Sequence, residues 1–218
     1  GTEEPVATLE EAQAAADSIG YPLLVKAAGG GGGKGIRRVN AADELANAWE
    51  RATSEARSAF GDDRVYLERL VAPARHIEAQ ILGDGQGGAL FLGERECSLQ
   101  RNHQKLLEET PSPVLPEDVR VKLRAAALEG VSSLKYRGAG TMEFLYDDNT
   151  QEFFFLEMNT RLQVEHPVSE MVTGLDLVAE QIAIAEGASL EGREEPVRRG
   201  HSIEFRLYAE DPYRQFAP

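Results

Sequence analysis

Residues 157–166 read Glu-Met-Asn-Thr-Arg-Leu-Gln-Val-Glu-His. Glu157, Asn159, Arg161, Gln163 and Glu165 take the odd positions, with mostly apolar residues (Met158, Leu162, Val164) between them. Successive side chains of an extended chain face opposite ways, so this spacing gathers two carboxylates, two amides and a guanidinium on one face. A site for a metal ion and a small anion needs such acceptors and fixed donors side by side. The run reads as an active-site strand.

Two strands, 139–147 and 152–158, are predicted to form a hairpin around Asp148-Asn149-Thr150. Pairing centred near Thr150 places Glu143 opposite Glu157, with Cβ atoms about 4.5 to 5.5 Å apart. Two carboxylates that close repel by roughly 3 kcal/mol at an effective dielectric near 20. A divalent cation removes that repulsion, and oxygen-only ligands point to Mg²⁺ or Mn²⁺, with Asn159 as a third oxygen donor. A register slipped by one residue, turning one glutamate to solvent, is the alternative.

A second signal is the glycine run from Gly29 through Gly30, Gly31, Gly32 and Gly33, followed by Lys34 and Gly35. Each glycine costs about 0.5 to 1 kcal/mol of extra chain entropy relative to alanine, so the run needs an offsetting role. Bare backbone amides wrapped around phosphate oxygens supply one, and Lys26 just before them places an ammonium within reach. The loop is neither a Walker A sequence nor a spaced dinucleotide fingerprint. A flexible linker is the plainer alternative. The third signal, Gln100-Arg101-Asn102-His103-Gln104-Lys105, is donor-rich but by itself reads as a solvated loop. His76 and His201 begin alternating strands as half-exposed positions. Arg206 shares the polar face of a strand with Glu204, where a structural ion pair is an equally simple reading.

These residues need elements to hold them. Thr8 with Glu11 makes a capping box for a helix over 8–19 that stops at Gly20. A strand over 22–27 follows, and Asn40 with Asp43 opens a second helix carrying Leu45, Trp49, Ala52 and Ala56. Strands are expected at 65–71, 76–83 and 89–95, a helix from Pro116 and Glu117 to about 134, another over 175–186, and a strand over 201–209. The first seventy residues can form a small α+β lobe.

Composition sets the bounds. The 218 residues, 42% of them hydrophobic, suit one large domain or two small ones. Lys and Arg number 23 against 37 Asp and Glu, a net charge of −14, which argues against general nucleic-acid or anionic-membrane binding. The single cysteine, Cys97, excludes an internal disulfide framework and suits a reducing compartment. No apolar run approaches membrane-spanning length, and no leader opens the chain, so cytosol, or an organelle matrix after import, is the expected location. Both ends look cut, as in a piece of a longer protein.

Taken together, these stretches resemble the biotin carboxylase component of biotin-dependent carboxylases, a branch of the ATP-grasp superfamily. The resemblance is carried by Lys26-Ala27-Ala28 with the glycine loop, Arg75-His76-Ile77-Glu78, Gln100 with His103-Gln104-Lys105, Glu143, Glu157 to Pro167, Glu204-Phe205-Arg206, and Ala209-Glu210-Asp211-Pro212. It covers essentially the whole chain. It implies an α+β ATP-grasp fold, with a lid lobe over 1–70 carrying the glycine loop and a main lobe over 71–218, without the flanking N- and C-terminal domains.

The resemblance also implies a reaction: MgATP phosphorylates bicarbonate to carboxyphosphate, which breaks down to CO₂ and phosphate before biotin N1 is carboxylated. Carried over, Lys26 and the glycine loop hold the ATP phosphates, Glu68 and the backbone near Val71 meet adenine, and His76, Gln100 and His103 line the nucleotide pocket. Glu143 and Glu157 bind two Mg²⁺ or Mn²⁺ ions, with Asn159 nearby. Lys105, Arg161, Gln163 and Val164 hold bicarbonate, Glu165 beside Arg161 is the general base, and Arg206 stabilises the biotin enolate. A planar guanidinium suits the bicarbonate carboxylate.

Two departures stand out: Asn102 replaces a second basic residue, and Leu70 replaces an aromatic in the adenine hinge. The implied partners are a biotinylated carrier domain and a carboxyltransferase, with homodimerisation of the whole enzyme. The Leu207-Tyr208-Ala209-Glu210-Asp211-Pro212 region suggests an acyl-CoA carboxylase, although pyruvate and urea carboxylases share this component. The chain alone is expected to turn over weakly or not at all. Rival readings are another ATP-grasp ligase, of the carbamoyl phosphate synthetase type, and a nucleotide-binding module without turnover.

Overall fold

The computed structural model of the chain describes residues 1–29, 35–102 and 104–217. They divide into two units, Gly1–Ala72 and Pro73–Pro218, each with its own core.

In the first unit the capping box forms: Thr8 Oγ1 accepts from the Glu11 N–H at 3.2 Å, and the Glu11 carboxylate accepts from the Thr8 N–H at 3.4 Å. It starts helix α1 (Leu9–Ile19), which buries Ala12 and Ala16. Strand β1 (Leu23–Ala27) lies between β2 (Ile36–Val39) and β3 (Val65–Arg69), antiparallel to both. Leu23, Val25 and Ala27 point into the core, so the alternation puts Lys26 on the opposite face.

Helix α2 (Ala42–Phe60) begins later than the Asn40 start expected from sequence. The Asn40 side chain is engaged elsewhere, accepting from Arg38 Nε at 2.7 Å and donating to Glu44 at 3.1 Å, and so does not cap the helix. Gly35 takes φ +75°, and a Cβ there would sit 2.9 Å from that of Ala27. Only glycine fits this position without a shift.

The second unit is a 6-stranded antiparallel sheet in the order β8-β7-β4-β5-β6-β9. Its strands are β4 (Arg75–Asp84), β5 (Ala89–Arg101), β6 (Gln104–Thr110), β7 (Arg137–Asp147), β8 (Glu152–Asn159) and β9 (Ser202–Phe205). Helix α3 (Glu117–Ser133) packs Val119, Leu123, Ala127 and Val131 against Ile77, Ala79, Ile81, Met142 and Phe144 on one face. Helices α4 (His166–Thr173) and α5 (Leu177–Ala185) complete the unit, with Leu177 and Ile184 of α5 packed on Leu82, Leu90 and Ala139. Among the described residues, no helix is long and apolar enough to cross a membrane.

Several sequence expectations are corrected here. The strand predicted through residues 157–166 ends at Asn159: the chain turns, with His166 Nδ1 lying 2.8 Å from the Gln163 carbonyl, and Pro167 opens α4. Proline's fixed φ suits a first helical turn and its missing N–H suits no ladder. Gln100 and Arg101 end β5 and Gln104 and Lys105 begin β6, so these four are strand residues rather than loop, and Asn102 takes φ +51°. The strand expected over 201–209 is confined to Ser202–Phe205, because pairing with β6 runs out at Leu107.

Candidate active site

Polar side chains collect on the sheet face opposite α3. Ile77, Ala79 and Ile81 of β4 are committed to the α3 core, so His76, Glu78 and Gln80 point the other way, as does Glu143 of the neighbouring β7. Glu143 stands opposite Glu157 and Thr141 opposite Asn159, as expected, while the pairs nearer the turn, Phe144 with Phe155 through Asp147 with Glu152, run one residue off that register, with a bulge between Glu143 and Phe144. A cavity of about 420 Å³ lies here, and the walls include His76, Gln100, Lys105, Glu143, Glu157 and Asn159. Arg161, Gln163, Val164, Glu165 and Arg206 also line it. The turn after β8 thus delivers residues that no continuous strand carries.

Its floor is a buried charge network. Arg95 of β5, fully buried, donates from Nε at 3.2 Å and Nη2 at 3.0 Å to Glu78 Oε2. It also donates to Gln80, to Ser169 Oγ at 3.1 Å, to Thr141 Oγ1 at 3.0 Å and to Gln163 Oε1 at 3.3 Å. Glu78 Oε1 is held by Lys105 Nζ, with His76 Nε2 at 3.0 Å. Arg95 and Glu78 thereby tie β4, β5 and β7 to the turn and to α4.

Above that floor, Glu165 is only 2% exposed. Its Oε1 accepts from Lys105 Nζ at 2.6 Å and its Oε2 from Arg206 Nη2 at 2.9 Å. The partners of the expected base are therefore Lys105 and Arg206, not Arg161. The Arg161 guanidinium donates to the Leu162 carbonyl at 3.2 Å and makes no ion pair among the described residues. Arg206 itself pairs with Glu108 and Glu165 rather than with Glu204.

Among the described residues, His76, Glu78 and Glu143 bring ligand atoms within 4.8 Å of one another. Glu78 has both oxygens engaged by cations, and Glu143 is contacted more loosely, by Lys105 Nζ at 3.3 Å from Oε1 and His76 Nε2 at 3.2 Å from Oε2, so an ion held by Glu143 would replace those two contacts. Glu143 is buried and its opposite residue Glu157 is exposed, so an ion held there keeps water or phosphate on its outer side. Asn159 turns its Nδ2 to Glu143 Oε1 at 2.7 Å; rotating the amide presents the oxygen instead. The all-oxygen donor set fits Mg²⁺.

Nearby cations balance this charge. Burial pulls His76 down, but its contacts with Glu143 and Glu78 outweigh it and hold the ring up at about 9. Burial pushes Glu143 up, but His76 and Lys105 bring it below the ordinary carboxylate value. Lys105 is desolvated too, yet Glu78 and Glu165 leave it raised.

Lys26, Glu68 and Val71 belong to the Gly1–Ala72 unit. Lys26 Nζ donates to both oxygens of Glu68 at 2.9 Å, and Val71 lies beyond the end of β3. Gly30, Gly31, Gly32, Gly33 and His103 lie outside the described residues. Arg95 and Glu108 were not reached from sequence, and Glu78 had no assigned role. The available signal is Glu94-Arg95-Glu96, three consecutive charges that follow the apolar Ala89–Leu92 within one strand.

The profile of the family described as carbamoyl-phosphate synthase L chain, ATP binding domain, matches residues 1–193. The chain belongs to this family. A relative from Bacillus subtilis, named biotin carboxylase 1, is 48% identical over 219 residues, covering 100% of this chain and 49% of that protein. The crystal structure of a Campylobacter jejuni biotin carboxylase with βγ-ATP superposes with a TM-score of 0.90 at 48% identity, covering 100% of this chain and 48% of that one.

The biotin carboxylase domain of Hydrogenobacter thermophilus 2-oxoglutarate carboxylase, in complex with MgADP, ADP and bicarbonate, gives 0.88 at 45% identity, with 100% and 48% covered. The fold of this family member is thus the α+β ATP-grasp fold. The chain spans about half the length of the relatives it matches.

Proposed function

We propose that this chain forms the nucleotide- and bicarbonate-handling centre of a biotin carboxylase. The full protein uses MgATP to activate bicarbonate through carboxyphosphate and then carboxylates biotin on a carrier domain. The observation that carries this is Glu165, clasped between Lys105 and Arg206 in a cavity that also holds Arg161 and the opposed pair Glu143 and Glu157. It joins a base, anion-binding cations and carboxylates for Mg²⁺ in one space. The nucleotides and bicarbonate bound in the related structures support the same reading.

The roles follow from position. Arg161 offers bicarbonate a planar guanidinium with no ion-pair partner among the described residues, and Gln163, the backbone at Val164 and Lys105 complete the anion's cradle. Glu165 takes the bicarbonate proton, which makes the remaining oxygen a better nucleophile toward the ATP γ-phosphorus. Lys26 and residues 30–33 hold the phosphates, Glu68 and the backbone near Val71 meet adenine, and His76, Gln100 and His103 line the nucleotide pocket. Glu143, Glu157 and Asn159 hold two divalent ions, Mg²⁺ or Mn²⁺. Bound there, the ions neutralise charge on the transferring phosphoryl group. Arg206 faces the acceptor and stabilises the biotin enolate.

The whole enzyme pairs with a biotinylated carrier and a carboxyltransferase, dimerises and works in a reducing compartment, where the buried thiol of Cys97 stays free. The test is bicarbonate-dependent ADP formation by the full protein: Arg161→Ala is expected to raise the KM for bicarbonate at least about 10-fold, the scale of a lost charged hydrogen bond. ATP cleavage indifferent to bicarbonate contradicts the proposal.

A further inference from the structure

The Arg206 guanidinium bridges two carboxylates, of which only Glu165 lines the cavity. The other, Glu108 of β6, is fully buried. Its Oε1 accepts from Arg206 Nε at 2.6 Å and lies 2.5 Å from Arg206 Nη2. Glu108 Oε2 is buried without a hydrogen-bond partner among the described residues.

A pair that served stability alone would set two oxygens against two guanidinium nitrogens and leave none unsatisfied. Here a buried acceptor is sacrificed. Glu108 also stands opposite Glu204 in the β6–β9 ladder, so the sheet places like charges face to face next to Arg206. What this arrangement secures is direction: Glu108 grips one edge of the guanidinium, and Nη2 is left aimed at Glu165.

We propose that Glu108 is a positioning residue for the carboxylation step, setting the Arg206 guanidinium against Glu165 and the biotin acceptor without touching either substrate. Strand β6 then supplies both cations of the clasp, Lys105 directly and Arg206 through Glu108. The inference rests on the biotin carboxylase reading. It adds that the acceptor half of the reaction depends on a side chain behind the cavity wall.

The experiment uses the full protein and the variants Glu108→Gln, Arg206→Gln and their combination, measuring ATP cleavage and transfer of labelled bicarbonate to free biotin. Glu108→Gln is expected to lower biotin carboxylation about 10- to 100-fold, the scale of an ångström-sized misplacement, with the KM for ATP held. More ATP is then cleaved per biotin carboxylated. The double variant is expected to match Arg206→Gln alone, because both changes act through one group.

Equal loss of both activities, or additive losses in the double variant, overturns the role of Glu108. A wild-type protein that cleaves no ATP in response to bicarbonate overturns the proposed function instead. The positioning claim is then read from the Arg206 Nε–H resonance: slow exchange in wild type and fast exchange in Glu108→Gln supports it, and identical exchange refutes it.

Discussion

Replacing Arg95 with methionine isolates the contribution of the buried network. The substitution keeps an unbranched stem of similar reach but removes every donor. Glu78 Oε2 loses partners at 3.0 and 3.2 Å, and Gln80, Thr141, Gln163 and Ser169 each lose one. Breaking a fully buried ion pair by removing one partner costs about 3 to 5 kcal/mol. Lys105 and His76 still neutralise Glu78 through Oε1, which argues for the lower end. A loss of about 3 kcal/mol is roughly a 150-fold change in the unfolding equilibrium.

Trp49, the only tryptophan, lies in the Gly1–Ala72 unit and does not report on this site. Amide hydrogen exchange in β4, β5 and β7 under increasing urea is the appropriate assay. A change below about 1 kcal/mol, the scale of an exposed ion pair, refutes the view that Arg95 holds the floor together.

Glu143→Gln and Glu157→Gln should each raise the magnesium needed for half-maximal ATP cleavage at least about 10-fold, a scale that changes behind the ligands already reach; an unchanged magnesium midpoint removes them from the metal site. The Asp84 carboxylate, which accepts from the N–H groups of Leu190, Gln86 and Gly88 and from Ser189, lies below its ordinary value through those hydrogen bonds. Its contribution is therefore complete above about pH 3.9 and lost as pH falls through the lower folded value; Asp84→Asn should flatten that acid limb in a circular-dichroism titration. Thr8→Ala should cost the first unit about 1 kcal/mol, read by Trp49 fluorescence in urea, because it removes an N-cap and half of a capping box.

The Glu143–Glu157 pairing is only partly legible in the sequence: the turn sets Asp147 opposite Glu152, a register that alone would carry Glu143 to Leu156, and a bulge between Glu143 and Phe144 brings Glu157 opposite instead. Where β8 stops is not legible. Alternation continues through Arg161, Gln163 and Glu165, and the turn before Pro167 depends on the contact of Gln163 with Arg95, which lies far off in sequence. Strand β6 escapes notice for a simpler reason: Lys105-Leu106-Leu107-Glu108-Glu109 pairs like with like and matches neither strand nor helix period. Glu78 and Gln80 alternate with Ile77, Ala79 and Ile81 in the sequence, which does not show that Arg95, the turn and α4 cover them. Their burial is a property of the tertiary fold. Glu108 lies deeper still, since its function is expressed only through Arg206, almost a hundred positions away.

In the proposed reaction Glu165, held by Lys105 and Arg206, acts as the base on bicarbonate. The most direct test of that role is MgATP-driven transfer of labelled carbon from bicarbonate to biotin by the full protein and by Glu165→Gln. The account predicts that wild type transfers label, and that Glu165→Gln loses at least about 100-fold in rate, the lower range for a general base, while still binding ATP. Label transfer at the wild-type rate by Glu165→Gln contradicts it.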